Sequence, residues 1–224
     1  MQAYTKTIIC LAKSRRPGGV CVAGREIREG QIGPWIRPVS DNGAVPSSIL
    51  RMGGRWLQLC DVVEIGLKQP SPHTYQIENH LLDQERPWKR IRRATDDEVR
   101  AAIQEPATPL WNGVFSTKGG RRDKVPLVLA NKSGGSLRFI AVENLSISSV
   151  SDVHDASRRK TRGMFTYAGV SYCLSITDYD VENEYKSRPA GVYAVGRSYL
   201  CVSLGEGYGG YAYKLIASVI APQN

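Results

Sequence analysis

Short apolar runs separated by loops rich in glycine and proline recur along the whole chain, about five to each half, and they restrict it to a mainly β architecture. Residues 7–12 and 20–23 read as two strands joined by a Pro-Gly loop. Residues 35–39, 56–60 and 61–67 are further extended runs, and Pro38 places the first of these at an edge or a strand end. In the second half, residues 137–142, 145–148, 164–167, 170–176, 199–204 and 211–220 follow. Val170, Tyr172, Leu174 and Ile176 share one face of their run, and Ser171, Cys173 and Ser175 share the other. Ala168 and Gly169 supply the turn of a hairpin between 164–167 and 170–176. One segment is helical. Thr95 caps 96–103, and Glu98, three residues on, completes a reciprocal capping box. Residues 112–124 read as loop, and 125–129 as a strand with Pro126 near its start. Many short strands and a single helix suit two small barrels or sandwiches.

The chain is long enough for this: 224 residues, 42% of them hydrophobic, can build one large core or two small ones. A charged fraction of 23% is that of an ordinary globular protein. The five cysteines form no C-x-x-C pair, and each lies in or beside an apolar run. They read as reduced, buried, small hydrophobes, and an odd count argues against a disulfide scaffold. No run approaches the roughly 18 apolar residues that span a bilayer, and the N-terminus lacks the pattern of a signal peptide. The expectation is a soluble, cytoplasmic protein with no membrane partner.

Net charge is +9, spread as +4 over residues 1–112 and +5 over 113–224, so no detachable tail carries it. A basic surface of this kind attracts phosphate backbones through counterion release. Three basic clusters are flanked by glycine and set between strand-like runs. The first holds Arg15 and Arg16, the second Lys118, Arg121, Arg122 and Lys124, the third Arg158, Arg159, Lys160 and Arg162. A fourth, 89–93, lacks glycine and stands just before the capped helix, where it reads as structural. Arginines on loops between strands can converge on a polyanion; each cluster taken singly also fits a solvated loop.

Nine of the eleven tyrosines fall between Tyr167 and Tyr213. Single-strand binders combine cations that track the backbone with rings that stack on bases. Tyr208 and Tyr211, with Tyr213 and Lys214 beside them, are the best such grouping, although tyrosine is also simply a good strand residue. Glycines 205, 207 and 210 match the spacing of a dinucleotide fingerprint but precede a β-like run, which removes its structural context. Trp35 and Arg37 would project from one face of their strand onto a binding surface; a core tryptophan with an arginine at its rim would give the same pattern.

Residues 178–184 are the main sign of chemistry. In an extended conformation Asp178, Asp180, Glu182 and Glu184 would align, and such a row can hold a divalent metal for phosphodiester hydrolysis. It fits a solvated edge equally well. The three histidines show no metal-ligand spacing, and no nucleophile elbow, P-loop or H-E-x-x-H motif is present. No motif calls for a cofactor.

Residues 8–15, 21–24 and 35–40 at the start, with 202–206 and 213–217 at the end, resemble the bacterial dual OB-containing domain proteins. The resemblance spans nearly the whole chain. It implies two small OB-like β-barrels with one or two short connecting helices: 1–94 the first barrel, 95–135 a helical and loop connector, 136–224 the second barrel. It further implies a nucleic-acid role in prokaryotic systems that handle foreign DNA or RNA, and it brings no catalytic residues. The function expected is non-enzymatic binding of nucleic acid, single strands favoured. Arg15, Arg16, Arg37, Arg121, Arg122, Lys124, Arg158, Arg159, Lys160, Arg162 and Lys214 would face phosphates, and Trp35, Tyr208 and Tyr211 would stack or line the groove. Two other readings stay open: a metal-dependent nuclease on residues 178–184, and an adaptor in a multi-protein defence or processing complex.

Overall fold

The structure, a computed structural model, describes residues 3–16, 18–41, 43–105, 107–112, 114–151 and 159–222. They form two compact units, residues 1–103 and 104–224.

Unit 1 contains β1 (Tyr4–Arg16), β2 (Gly19–Arg28), β3 (Gln31–Val39), β4 (Arg51–Met52), β5 (Arg55–Trp56), β6 (Asp61–Pro70), β7 (Asn79–Leu82), β8 (Lys89–Arg93) and α1 (Asp96–Ala101). Its main sheet runs β1-β2-β3-β7-β6-β8, and β1 also pairs with β6, which closes the sheet on itself. All pairs are antiparallel except β3 with β7, where Arg37 stands opposite Asn79. The alternating runs seen in the sequence fill this barrel: Ile8, Cys10, Val22, Ile36, Val63, Ile65, Leu67 and Trp88 form its core.

The capping box is present. Thr95 Oγ1 accepts from the Glu98 amide, and the Glu98 carboxylate accepts from the Thr95 amide at 2.9 Å. Glu98 also takes a two-pronged bond from the Arg92 guanidinium, at 2.6 Å on each side. That contact holds the Glu98 carboxyl at about 2, well below the ordinary carboxylate range. A group depressed when folded contributes stability above its unfolded pKa, and this is lost as pH falls from about 4.5 to about 2. Glu98→Gln is therefore expected to lower stability at neutral pH by under about 1 kcal/mol, since the pair is partly exposed. In urea unfolding, the deficit should disappear over that same acid range.

Unit 2 contains β9 (Lys124–Pro126), α2 (Leu127–Ala130), β10 (Leu137–Ser151), β11 (Arg159–Tyr167), β12 (Val170–Ile176), α3 (Tyr179–Ser187), β13 (Gly191–Leu204) and β14 (Tyr211–Ile220). Its order is β12-β11-β10-β13-β14-β9, closed by a parallel pairing of β12 with β14. The topology repeats that of unit 1: strand one pairs with two and four, and strand three pairs in parallel with five. The mainly β reading with few helices holds in both halves.

Three local expectations change. The run 125–129 is a strand only to Pro126, after which Leu127–Ala130 turns into a helix. The runs 137–142 and 145–148 are one bulged strand. Residues 178–184 are not extended. Asp178 is the N-cap of α3, 1% exposed, and its carboxylate accepts from the amides of Asp180, Val181 and Val219. Burial pushes that carboxyl up, and these backbone bonds oppose the rise. Glu182 and Glu184 pair with Lys186 and Arg188, four residues on. A helical repeat fits these pairs, because it brings i and i+4 together. The row of four aligned carboxylates does not exist. Among the described residues no group of three or more His, Cys, Asp or Glu side chains is placed to hold a metal. No helix among them is long and apolar enough to cross a membrane.

Candidate nucleic-acid interface

The outer face of the second barrel is built by the two-residue alternation of its strands. In β10, Leu145, Ile147 and Ser149 are buried while Ser146 and Ser148 are half-exposed. In β11, Thr161, Gly163 and Phe165 turn inward, leaving Lys160, Arg162, Met164 and Thr166 outward. Register then aligns these residues in rows across the sheet. One row is Val192, Ser148, Arg162 and Ser175; the next is Ala194, Ser146, Met164 and Cys173. Small residues thus pave the face, and one arginine and one methionine rise from it. Ser146, Met164, Cys173, Asn144 and Thr166 line a cleft of about 510 Å³, completed by Gly119, Gly120 and Arg121. Among the described residues that line it, none carries a carboxylate.

The loop that carries the second basic cluster forms one wall, and it is fixed at several points. The Arg121 amide donates to the Cys173 carbonyl at 3.0 Å, and the Cys173 amide donates back at 3.1 Å. The buried Asp123 carboxylate accepts from the Thr117 amide, at 2.7 Å, and from its hydroxyl. The Arg122 amide donates to Ser116 Oγ at 2.9 Å. Gly120 is required by space: a Cβ there would stand 2.0 Å from Asp123 Oδ2. Beside it, a Cβ on Gly119 would stand 3.3 Å from Nη2 of Arg162. The Arg162 guanidinium of β11 therefore lies against Gly119, two residues before Arg121, and both arginines act on the Cys173 thiol. Parts of two basic clusters distant in sequence thus reach one strand, β12.

Lys214 holds this loop from beneath. It is 1% exposed, its amide donates to the Asp123 carbonyl, and its Nζ donates to the Arg122 carbonyl at 2.8 Å. Burial lowers its pKa to about 8; repulsion from Arg122 adds to this, and Asp123 opposes it. Lys214 thus supports the loop and does not face solvent, because Ala212, Lys214 and Ile216 share the inward side of β14.

The other expected residues divide sharply. Arg121 and Arg122 are exposed, Lys160 and Arg162 half-buried. Tyr208 is 78% exposed on the loop between β13 and β14. Tyr211 is half-buried on the outward side of β14: Lys124 Nζ lies 3.9 Å from its ring centre, and Phe115 meets it edge-on at 5.7 Å. Arg159 is a structural tie, donating to the carbonyls of Ser149, Lys186, Arg188 and Pro189. Arg158 lies outside the described residues. In unit 1, Arg15 is exposed and Arg16 half-buried at the tip of the β1–β2 hairpin. Arg37 is 3% exposed and pairs with Glu78 at 3.2 Å, which removes it from any surface shared with Trp35. Trp35 faces Arg25 instead, 5.9 Å from its ring centre. The 89–93 cluster is strand β8, with Arg90 paired to buried Asp61 at 2.8 Å. Of the cysteines, Cys10, Cys60 and Cys201 are buried as expected, while Cys21 and Cys173 are half-buried.

Comparison with known families fits this repeated topology. The model of the dual OB-containing domain matches residues 6–219. The chain belongs to the dual OB-containing domain family. Its two barrels are OB barrels, each with the parallel closure described above. No curated protein matches this dual OB chain. Its backbone is similar to a solved chain from work on the molecular basis for abrogation of activation of pro-inflammatory cytokines. That likeness has 7% identity, covers 95% of this chain and 88% of that one, and has a TM-score of 0.36. A chain of a replication protein A heterotrimer bound to ssDNA is similar at 11% identity, over 97% of this chain and 49% of that one, with a TM-score of 0.37. At these scores neither likeness says what the dual OB chain binds.

Proposed function

We propose that the protein binds single-stranded nucleic acid, without catalysis, on the outer face of its second barrel. The observation that carries this reading is the Arg162 guanidinium set against the Arg121 loop, both arginines close to Cys173, over a sheet face paved with small residues. OB barrels offer strands two and three, with flanking loops, to oligonucleotides. Strands two and three of unit 2 are β11 and β12, which line the cleft. Arg121, Arg162, Lys160 and Lys118 would contact phosphates, Met164 would meet a base face, and exposed Tyr208 would stack. Serines 146, 148, 171 and 175 leave room for flat bases to approach the sheet. A net charge of +9 adds long-range attraction. The setting we propose is a prokaryotic system that handles DNA or RNA.

The test is fluorescence anisotropy with labelled single-stranded and duplex DNA and RNA over a range of salt. Single strands should bind more tightly than duplexes, with affinity falling steeply as salt rises. No binding of any of the four at low salt would end the proposal.

A further inference from the structure

Unit 1 carries a second cationic and aromatic feature, on the short ribbon β4–β5. Leu50, Met52 and Leu57 are buried and root the ribbon in the core. Between them, Gly53 and Gly54 both take positive φ, 55° and 80°. Two such central residues make the tight turn whose twist matches a hairpin. Arg51 stands opposite Trp56, and Met52 opposite Arg55. Directly opposed residues share a face. Met52 packs inward, so the indole of Trp56 and the guanidinium of Arg51 stand together on the outward face; Arg55, opposite Met52, is exposed beside the glycine turn and next to Trp56 in sequence.

Two facts set this ribbon apart. Trp56 is 53% exposed, a large apolar ring left in water on a rooted, glycine-turned hairpin. Its two arginines make no side-chain hydrogen bond or ion pair with any described residue. Most other cations of the unit are engaged: Lys6 with Glu26, Arg37 with Glu78, Arg86 with Asp83, Arg90 with Asp61 and Arg92 with Glu98. Unit 1 thus engages most of its arginines where they build the barrel, by carboxylates or, as for Arg25 and Arg93, by backbone carbonyls, and leaves Arg51 and Arg55 without such a partner among the described residues beside its most exposed tryptophan. A ring that presents a face, flanked by cations with no carboxylate, matches the chemistry of a flexible polyanion of aromatic units: the ring stacks and the guanidinium groups take the phosphates. A protein partner matches it less well, because a buried protein contact would leave both charges needing acidic partners.

We propose that the β4–β5 ribbon is a second contact for single-stranded nucleic acid, with Trp56 stacking on a base and Arg51 and Arg55 on the adjoining phosphates. It rests on the reading that the protein binds such strands, but uses residues of a different unit from the proposed cleft.

The test uses the full chain and labelled oligothymidine and oligouridine. Trp56→Ala should weaken binding about 5- to 100-fold, and Trp56→Phe should restore most of it, because a ring remains. Replacing Arg51 and Arg55 by alanine should reduce the salt slope by about 1.4, two phosphate contacts on a single strand. The emission lost on going from wild type to Trp56→Phe isolates Trp56, and oligonucleotide should quench it. If wild type binds and changes at Arg121 and Arg162 weaken it while the ribbon variants do not, the ribbon proposal fails and the cleft stands. If only the ribbon variants weaken binding, the cleft fails and the ribbon stands. Absence of wild-type binding overturns both.

Discussion

Replacing Arg121 and Arg162 together by alanine is expected to weaken oligonucleotide binding by roughly 10- to 100-fold and to flatten its salt dependence by about 1.4 in slope. The reason is geometric. Arg121 is held by paired backbone bonds to Cys173, and Arg162 rises from β11 beside Gly119. Among the described residues neither guanidinium takes part in an ion pair, so their loss should leave the unfolding midpoint nearly unchanged. Arg159→Ala should do the opposite. Its guanidinium ties β11 to the end of α3, and its removal should lower stability more than affinity. Unchanged affinity and slope in the double variant would remove the cleft from the interface.

Lys214→Met should separate stability from pH in a way no surface lysine would. The folded amine loses its proton near pH 8, against an ordinary value of 10.5. Between those values the unfolded chain holds more protons than the folded one, so stability rises with pH across that window. Arg122 and Asp123 are the charges beside the amine, and the Tyr172 ring lies 5.2 Å away. The wild type should therefore gain about 3 kcal/mol over the methionine variant from pH 8 to 10.5, because one pKa unit corresponds to about 1.4 kcal/mol. Urea unfolding at several pH values measures it; a flat difference would mean that the amine titrates normally. The variant also leaves the Arg122 carbonyl without its donor. That frees the wall of the cleft, and oligonucleotide affinity should fall several-fold at pH 7.

Much of this fold is legible in the sequence, for local reasons. Ala168 and Gly169 have φ of 48° and 73°, the turn that the two flanking runs demand. Thr95 and Glu98 announce their helix by chemistry that needs no tertiary partner. The first half of β13 was hidden because Val192, Ala194 and Val195 are exposed, so burial imposes no alternation there. Residues 178–184 place carboxylates at every second position, which imitates a strand; Lys186 and Arg188, four residues beyond Glu182 and Glu184, are the helical signal that outweighs it. The inward placement of Lys214 could be read from its neighbours Ala212 and Ile216, but not the Arg122 carbonyl that makes this tolerable. Arg37 depended on Glu78, brought alongside only by the parallel pairing of β3 with β7. The paving of the cleft was visible as Ser146-Ile147-Ser148, small polar residues alternating with a core one. That the loop of Arg121 lies against Arg162 was not, since it arises from the backbone pairing of that loop with β12.

The parallel closure of each barrel also sets an order in time. In unit 2, β12 can find β14 only after α3, β13 and the loop bearing Tyr208 have left the ribosome. Until Ser175 meets Leu215 and Ile176 meets Ile216, four strands stand with an open rim. An unpaired rim of this kind is an invitation to another nascent chain. Unit 1 faces a similar wait, because β3 ends at Val39 and its parallel partner β7 begins only at Asn79. In unit 2 the vulnerable interval therefore falls after the basic wall has been made and before the strand that supports it through Lys214 has been.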